Sequence, residues 1–306
     1  MKKVLLAAQI SVSFKEALVN KFYELISIEM LHLENNWHEI EGIITSNKLN
    51  LNATFLQQFS QLKWVARLGS GMEIIDTNYC DKNGIHYFNS PQGIANSVAE
   101  HVMGMLLSLL HHIQTANNEV RNAAWKREPN RGIELENQIV GIIGFGHTGS
   151  ALAKKLSVFT NTILAYDKYK TGFQHEGVKE VSLIELQQQA DIISIHLPLN
   201  DETFHYYNEA FINEIKSPHI LINSSRGAIV DSQSLLAGLN NKKIKGACLD
   251  VLEEEQNIEN LLQQPQNMVQ QLLQYNVIIT PHIAGYSHNA IEKMSDELLQ
   301  QLLPIL

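Results

Sequence analysis

Cysteine is nearly absent from this chain of 306 residues, which contains only Cys80 and Cys248. Two cysteines cannot build a disulfide framework, and neither belongs to a CxxC pair. This usage favours a reducing compartment, so we expect a cytoplasmic protein.

Metal-binding and nucleic-acid-binding patterns are also missing. Thirteen histidines are present, but there is no HExxH motif and no Cys/His cluster, so we expect no metal. The formal net charge is −9 and the chain has no run of Lys and Arg, which argues against a nucleic-acid partner.

Long uninterrupted apolar runs are lacking as well. The run Val4–Ala8 is too short for a signal peptide and predicts a first β-strand. The segment Ile94–Leu110 contains Asn96, Glu100 and His101, which favours a buried helix over a membrane span. We therefore expect a soluble protein with no membrane partner.

The chain does contain enough apolar residues, 44%, and enough length for two domains. Short segments rich in branched and aromatic residues alternate with helix-like segments throughout, which predicts an α/β fold with mostly parallel sheets. The predicted strands of the first series are Lys3–Ala8, Gly42–Ser46, Lys63–Arg67 and Ile85–Asn89. Those of the second are Gln138–Ile143, Thr162–Tyr166, Asp191–His196, His219–Asn223, Lys245–Leu249 and Asn276–Thr280.

Helices are predicted where apolar residues recur at helical spacing. The main ones are a stretch from Phe14 that includes Leu18 and Leu25, the long region Ile94–Ala124, and the last segment His288–Leu303. The last segment places Ile291, Met294, Leu298 and Leu302 on one stripe. The Gln-rich stretch Leu262–Gln274 predicts a polar loop or a surface helix.

The segment Gly144-Phe145-Gly146-His147-Thr148-Gly149 matches the pattern GxGxxG. It follows the apolar strand Ile139–Ile143 and opens a helix whose expected buried face is Leu152, Leu156 and Phe159. Glycines there permit a tight turn and a close approach of the backbone to a pyrophosphate, which the start of the helix also attracts. The motif therefore predicts a dinucleotide site.

The acidic residue that this motif requires is Asp167, eighteen residues after Gly149 at the end of the next strand. A carboxylate there accepts hydrogen bonds from the adenosine ribose and repels a 2′-phosphate, so NAD is favoured over NADP. The neighbouring Lys168 works against that preference.

At this point the sequence resembles the D-isomer-specific 2-hydroxyacid dehydrogenases, in particular the phosphoglycerate dehydrogenase branch. The resemblance is carried by segments spread over most of the chain. These are Arg67-Leu-Gly-Ser-Gly-Met-Glu-Ile-Ile-Asp76, Asn89-Ser-Pro-Gln-Gly93, Ser97-Val-Ala-Glu100, Val140 to Gly149, His196-Leu-Pro198, Asn223-Ser-Ser-Arg-Gly227, Leu249-Asp-Val251 and Thr280-Pro-His-Ile-Ala-Gly285.

The resemblance implies two doubly wound parallel-sheet domains, a Rossmann nucleotide domain inserted in a flavodoxin-like substrate domain. Residues 1–93 and 286–306 would form the substrate domain, and residues 94–285 the NAD-binding domain. It also implies a homodimer joined through the nucleotide domain and its long helix.

The same resemblance implies a catalytic set of Arg226, Glu255 and His282. Arginine suits a carboxylate because its planar fork binds both oxygens, and histidine suits acid–base work near neutral pH. Of the three consecutive glutamates, the family spacing selects Glu255 over Glu253 and Glu254.

The backbone N–H groups of Ser70 and Gly71 would share the substrate carboxylate with Arg226. Further cofactor contacts are expected from Val98, His196, Pro198, Thr203, Ser225, Asp250 and Gly285.

One departure from the family pattern leaves the substrate open. Thr45 stands where phosphoglycerate dehydrogenases usually have a phosphate-binding arginine, with Lys48 as a partial substitute. Glu73 replaces the usual Asn or Asp, which we interpret as a minor variation. The chain also ends soon after its last helix, so a C-terminal regulatory domain is not expected. Thus 3-phosphoglycerate is one candidate among small 2-hydroxy and 2-keto acids.

The sequence thus predicts an NAD-dependent D-2-hydroxyacid dehydrogenase. The main alternative is a non-catalytic NAD-sensing scaffold, like the transcriptional co-repressors related to this family. Another glycine-motif enzyme, such as an amino-acid dehydrogenase or a nucleoside-thioether hydrolase, does not explain Arg226, Glu255 and His282 together.

Overall fold

The computed structural model describes residues 2–31, 37–47, 49–173 and 176–306. The chain divides into two compact units, Met1–Ser97 with Gly285–Leu306, and Val98–Ala284. The sequence placed these boundaries after residues 93 and 285.

The first unit is built on a parallel sheet of five strands in the order β2-β1-β3-β4-β5. The strands are β1 (Lys2–Leu6), β2 (Tyr23–Ser27), β3 (Ile40–Thr45), β4 (Trp64–Arg67) and β5 (His86–Asn89). Its helices before the chain leaves the unit are α1 (Val12–Asn20), α2 (Ile28–Leu31), α3 (Ala53–Leu56) and α4 (Thr77–Asn83).

Both faces of this sheet are buried, as expected for parallel strands covered by helices. Neighbouring residues of one strand point to opposite faces, so Val4 and Leu5 belong to two separate apolar clusters, and so do Ile44 and Ile43. This explains why the strands are continuously apolar.

One prediction in this unit was wrong. The expected helix from Phe14 ends at Asn20, and Leu25 lies in β2 instead. Phe22, at φ +64°, reverses the chain between the two elements, and five residues of β2 then pair with β1. Leu25 continues the helical spacing of Phe14 and Leu18, and for this reason the sequence pattern predicted a helix that is too long.

The second unit contains a parallel sheet of seven strands in the order β12-β11-β10-β9-β6-β7-β8. The strands are β6 (Ile139–Ile143), β7 (Thr162–Tyr166), β8 (Val178–Glu180), β9 (Ile192–Ile195), β10 (His219–Asn223), β11 (Ile244–Leu249) and β12 (Val277–Ile279). The helices are α5 (Pro91–Leu110), α6 (Ile113–Arg121), α7 (His147–Leu156), α8 (Leu183–Gln189), α9 (Glu209–Glu214), α10 (Ser232–Asn240), α11 (Ile258–Gln263) and α12 (Met268–Leu272). The boundary between the units falls inside α5.

The order of these strands fixes where a ligand can bind. The chain moves outward from β6 through β7 to β8, then returns to β9 on the other side of β6. In doubly wound sheets, ligands bind at the carboxyl ends of the strands on either side of such a reversal. The predicted fold class is therefore confirmed, and a ligand is expected at the segments that follow β6, β9, β10, β11 and β12.

Three details of the second unit differ from the predictions. The long helical region is two helices, because His112 at φ +52° interrupts it. Phe159 lies beyond the end of α7 and is 42% exposed, whereas Leu152 and Leu156 are buried as predicted. The short edge strand β8 has two exposed residues and lacks the apolar pattern of a strand. The Gln-rich stretch contains α12, whose Val269 and Leu272 are buried.

Helix α5 is long and apolar enough to span a membrane, with a mean hydropathy of 1.3, but 56% of its apolar window is buried inside the protein. A core helix passes the same test of length and composition. The contacts of α5 therefore support the prediction of a buried helix.

The last helix, α13 (His288–Leu302), belongs to the first unit. Its buried residues Met294, Leu298 and Leu302 join the apolar cluster that contains Val4 and Trp64. The predicted stripe is thus confirmed and covers one face of the first sheet.

His219, the first residue of β10, makes the stability of the fold depend on pH. It is fully buried and shares a 2.6 Å hydrogen bond with the hydroxyl of Tyr207. Burial lowers the pKa of His219 to about 4 from its ordinary value of 6.5. The unfolded chain therefore takes up this proton first as the pH falls, and the folded state loses stability between pH 6.5 and 4.

We predict that the free energy of unfolding falls by about 2 kcal/mol more between pH 7 and pH 5 in the wild type than in His219→Gln. The glutamine variant cannot titrate in this range, although it should be less stable overall. Urea denaturation at several pH values measures both slopes. Parallel curves for the two proteins would contradict the prediction.

Candidate active site

The glycine loop after β6 shows two different uses of glycine. Gly144 has φ +91°, and a Cβ on it would lie 2.3 Å from the carbonyl oxygen of His196. A Cβ on Gly149 would lie 2.1 Å from the carbonyl oxygen of Gly144. A Cβ on Gly146, in contrast, would meet nothing within 4 Å. Two glycines thus serve the packing of the loop, and Gly146 leaves its outer side open to a ligand.

Helix α7 begins immediately after this open position. Its cap residue is Gly146, which has no side chain to accept a hydrogen bond from the first turn, and that turn starts with His147 and Thr148. The N–H groups of a first helical turn have no partner within the helix and attract anions. The start of α7 therefore fits a pyrophosphate, as the sequence predicted.

Asp167 follows β7 and connects the glycine loop to the next segment. One carboxylate oxygen accepts from the N–H of Phe145 at 2.8 Å, and the other from the N–H groups of Tyr169 and Lys170 at 3.0 and 3.1 Å. A carboxylate oxygen has two lone pairs, so capacity remains for a ribose hydroxyl. Lys168 turns to Glu202 instead, at 2.7 Å.

The predicted cofactor residues after β9 and β10 form hydrogen bonds with the loops and strands around them. His196 shares a 2.8 Å hydrogen bond with Ser194, and desolvation lowers the pKa of His196 to about 4, so the ring is neutral at neutral pH. Thr203 donates to the carbonyl oxygen of Pro198 at 2.6 Å and closes the loop between them. Ser225, after β10, donates to the carbonyl oxygen of Ile195 at 2.6 Å. These contacts shape the edge of the sheet where their cofactor roles are predicted.

Arg226 follows β10, and its guanidinium donates to the carbonyl oxygen of Ser225 at 2.7 Å. Asn223 fixes the backbone by donating to the carbonyl oxygen of Arg226 at 3.0 Å. A Cβ on Gly227 would lie 1.9 Å from the carbonyl oxygen of Leu252. The loop of Arg226 therefore packs directly against the segment that leads to Glu255.

His282 and Glu255 are brought together, although 27 residues separate them. Nδ1 of His282 lies 2.5 Å from Oε1 of Glu255, and the side chains are 31% and 39% exposed. Because an ionised carboxylate only accepts hydrogen bonds, Nδ1 carries the proton and Nε2 of a neutral ring keeps its lone pair. The pair therefore presents Nε2 as an acid or a base.

The backbone of His282 is held in an unusual conformation, with φ +53°. Non-glycine residues seldom adopt this region, and they remain there only where the surroundings fix them. Asp250 provides that fixation through its main-chain oxygen, which accepts from the N–H of His282 at 2.8 Å.

The side chain of Asp250 also holds this loop. It is 1% exposed and accepts from the hydroxyl of Thr280 at 2.6 Å and from the N–H groups of Ile283 and Ala284 at 2.9 and 2.8 Å. A nicotinamide contact by Asp250 stays a prediction, and its observed contacts organise the loop that bears His282.

For four more predicted residues the structure gives only the local surroundings. Val98 is buried in α5, at 6% exposure. Ser70 and Gly71 belong to the first unit, where Asn89 donates to the carbonyl oxygen of Ser70 at 2.6 Å and Arg67 to that of Gly71. Gly285 is the first residue of the returning segment of that unit. Their roles in binding stay predictions.

Sequence reasoning missed what Arg67 and Glu73 do. Arg67 is 2% exposed, pairs with Glu73 at 3.2 Å and donates to Asn47 at 2.7 Å. Glu73 was treated as a minor variation, yet it is a partner of the arginine beneath the Ser70–Gly71 loop. The signal in the sequence was Glu73 itself, because it departs from the family pattern in this segment. Thr45 is fully buried, and Lys48 lies outside the described residues.

The family spacing set Glu253 aside in favour of Glu255, and the structure gives Glu253 specific partners. It lies 2.5 Å from Nε2 of His205 and accepts from the N–H of Ser232 at 3.0 Å. With Asp231 these residues have ligand types suited to a metal ion, and their donor atoms lie within 4.8 Å of one another. The ring nitrogen and both glutamate oxygens are already used internally, so the contacts describe a hydrogen-bonded pair at the start of α10.

The two kinds of glycine allow a contrast between folding and cofactor binding. We predict that Gly146→Ala leaves the melting temperature unchanged but weakens NADH binding about tenfold or more, because a methyl group would occupy the path of the pyrophosphate. Gly149→Ala should instead cost about 1–3 kcal/mol of stability, because its methyl group meets the backbone of Gly144. Fluorescence titration with NADH and thermal unfolding separate the two effects. Unchanged NADH affinity in Gly146→Ala would contradict the placement of the cofactor.

Comparison with known proteins gives a consistent result. Residues 103–284 match the model of the D-isomer specific 2-hydroxyacid dehydrogenase NAD-binding domain. A D-3-phosphoglycerate dehydrogenase of Bacillus subtilis is 32% identical over 98% of this chain, which spans only 57% of that relative. A hydroxypyruvate reductase of Thermotoga maritima is 30% identical, over 94% of this chain and 92% of the relative.

Solved structures agree with the sequence matches. The D-lactate dehydrogenase of Aquifex aeolicus in complex with NAD and lactic acid superimposes with a TM-score of 0.82 at 28% identity, over 99% of this chain and 94% of that one. The glycine loop, the start of α7 and Asp167 fit the NAD that the matched domain binds. The chain belongs to the D-isomer-specific 2-hydroxyacid dehydrogenase family.

Proposed function

We propose that this protein is an NAD-dependent dehydrogenase that interconverts a D-2-hydroxy acid and the corresponding 2-keto acid. The observation that carries the proposal is the 2.5 Å contact between His282 and Glu255. It orients an imidazole with Nε2 available, on a loop at the carboxyl edge of the sheet whose glycine loop fits a dinucleotide. An acid–base group beside a nicotinamide site is what oxidation of an alcohol requires.

The chain's own residues supply proton transfer and orientation. In the oxidation of a hydroxy acid, Nε2 of His282 takes the hydroxyl proton, and the resulting imidazolium is stabilised by Glu255 on Nδ1. Arg226 binds the substrate carboxylate through its planar fork and polarises the reacting oxygen. The N–H groups of Ser70 and Gly71 are proposed to bind the same carboxylate. Bound NAD supplies the hydride acceptor.

The burial of Thr45 supports an unphosphorylated substrate over 3-phosphoglycerate. Thr45 ends β3 with no exposed surface, and its hydroxyl contacts the carbonyl oxygen of Ser46. A phosphate needs cationic or N–H donors, which a buried threonine does not replace. The relatives' names include a hydroxypyruvate reductase, so hydroxypyruvate and related small keto acids come first.

The direct test is oxidation of NADH in the presence of hydroxypyruvate, glyoxylate, phenylpyruvate, 2-oxoglutarate and phosphohydroxypyruvate. We expect turnover with at least one unphosphorylated acid, and slower turnover when NADPH replaces NADH, because Asp167 repels a 2′-phosphate. Tight NADH binding without turnover of any keto acid would favour the NAD-sensing scaffold over the enzyme.

We predict that His282→Asn lowers kcat/KM by about 10²–10⁴-fold, the usual contribution of general acid–base catalysis. Asparagine tolerates the left-handed backbone of this position, so the loop should be retained. NADH affinity, measured by fluorescence, should remain that of the wild type. Wild-type turnover in this variant would refute the role of His282.

We also propose that the protein is a homodimer that associates through α6 and the segment after it. Helix α6 has no buried residue, and Ile113 and Val120 lie on one face of it at 55% and 53% exposure. Trp125 follows at 81% exposure. A concentration of exposed large apolar residues is characteristic of an association surface.

Replacing Val120 with Glu should convert the dimer to a monomer, because a carboxylate would be buried at the interface. Val12→Glu, at a more exposed residue of the first unit (69%), is the control and should leave the dimer intact. Light scattering with size-exclusion chromatography measures both masses. A monomeric wild type, or a dimeric Val120→Glu variant, would contradict this interface.

We also propose that the protein is cytoplasmic, because the state of its two thiols suits a reducing compartment. Cys80 and Cys248 are both free and buried. Desolvation raises the pKa of Cys80 to about 11, which keeps it a protonated and unreactive thiol.

A further inference from the structure

Helix α5 contributes a histidine to the hydrogen bonds behind the catalytic loop. Nε2 of His101 lies 2.9 Å from the hydroxyl oxygen of Thr280 and 3.6 Å from Oδ1 of Asp250. The side chain of His101 is 22% exposed. His101 thus reaches the two residues that hold the loop of His282 in place, although it is far from them in the sequence.

The direction of these hydrogen bonds follows from counting protons. The Thr280 hydroxyl has one proton and lies 2.6 Å from Oδ1 of Asp250 and 3.5 Å from the sulfur of Met105. A carboxylate is the stronger and nearer acceptor, so it receives that proton. The hydroxyl oxygen must then accept from His101, which carries a proton on Nε2. The chain of donors runs from His101 through Thr280 to Asp250.

Asp250 transmits this arrangement to the catalytic histidine. Its carboxylate accepts from the N–H groups of Ile283 and Ala284, and its carbonyl oxygen from the N–H of His282. His282 has φ +53°, a conformation that persists only where several contacts fix it. A carboxylate at 1% exposure has little water to replace a lost donor.

We propose that His101 is a positioning residue for His282: by donating to Thr280 it fixes Asp250, which keeps the loop where Nδ1 of His282 contacts Glu255. This inference rests on the proposed function, because it assigns His101 to the same reaction. His101 itself need not touch the substrate.

The test compares two substitutions of His101. Leu removes the donor and keeps an apolar body of similar size, whereas Gln places an amide N–H near the position of Nε2. We expect His101→Leu to lower kcat by about ten- to a hundredfold, since small displacements of reacting groups cost up to that much. Glutamine should restore most of the rate. Equal loss in His101→Leu and His101→Gln, or no loss in either, would overturn the proposal.

A double-mutant cycle tests whether His101 acts through Thr280. If it does, Thr280→Val should lower kcat as His101→Leu does, and the double variant should be no slower than Thr280→Val alone. Independent, multiplied effects would mean that His101 acts by another route, and would refute the proposed chain of donors.

A measurement without turnover separates this inference from the proposed function. The ring ¹⁵N shifts of His282 report its contact with Glu255, and those of His101 report the proton on Nε2. We expect the His282 shifts to change in His101→Leu and to be retained in His101→Gln. Unchanged His282 shifts in His101→Leu would overturn the positioning role, whatever the activity. If the shifts respond as expected while no keto acid is reduced, only the proposed function fails.

Discussion

The buried carboxylate of Asp250 is the constraint on which the candidate site depends. A carboxylate withdrawn from water is tolerated only when donors surround it, and a loop of five residues, 280–284, supplies most of them. Satisfying that charge therefore requires the loop to fold tightly over the end of β11. The strained backbone of His282 is a consequence of this requirement, because the residue lies between groups that Asp250 fixes on both sides.

Glycine imposes the second constraint, in the loops that follow β6 and β10. The backbone of Gly144 passes so close to His196 that no side chain fits between them. This close approach draws the loops after β6 and β9 together. Gly227 does the same for the loops after β10 and β11, because it packs on the backbone of Leu252. Residues that follow separate strands and have predicted ligand contacts converge because glycines allow their supporting loops to touch.

Much of the fold was predictable because both sheets are parallel. Strands covered on both faces are continuously apolar, so the segments Thr162–Tyr166 and His219–Asn223 were located to the residue. Edge strands lack this signature. The strand β8 is mostly exposed, and β2 was hidden because Leu25 continues the helical spacing of Phe14 and Leu18.

Less of the candidate site than of the fold could be predicted from the sequence. The spacing that selected Glu255 over its two neighbours is matched by the contact between Glu255 and His282. The partners of those neighbours were not predictable, because Glu253 pairs with His205, 48 residues away and on a segment that no motif linked to it. Likewise His101 was noted only as a polar residue in an apolar helix. A motif identifies residues that meet a ligand, but the residues that orient them are identified only by contacts.

Specificity follows from the same distinction between ligand-facing and supporting residues. The Ser70–Gly71 loop is shaped from beneath by Arg67, whose guanidinium is fixed by Asn47, Glu73 and the carbonyl oxygen of Gly71. A buried arginine that loses a carboxylate partner pays a large desolvation penalty, so Glu73 and Arg67 constrain each other. The backbone N–H groups of Ser70 and Gly71 are thereby held in one conformation. In the proposed mechanism these groups bind the carboxylate that all 2-keto acids share, so discrimination among the acids must come from side chains.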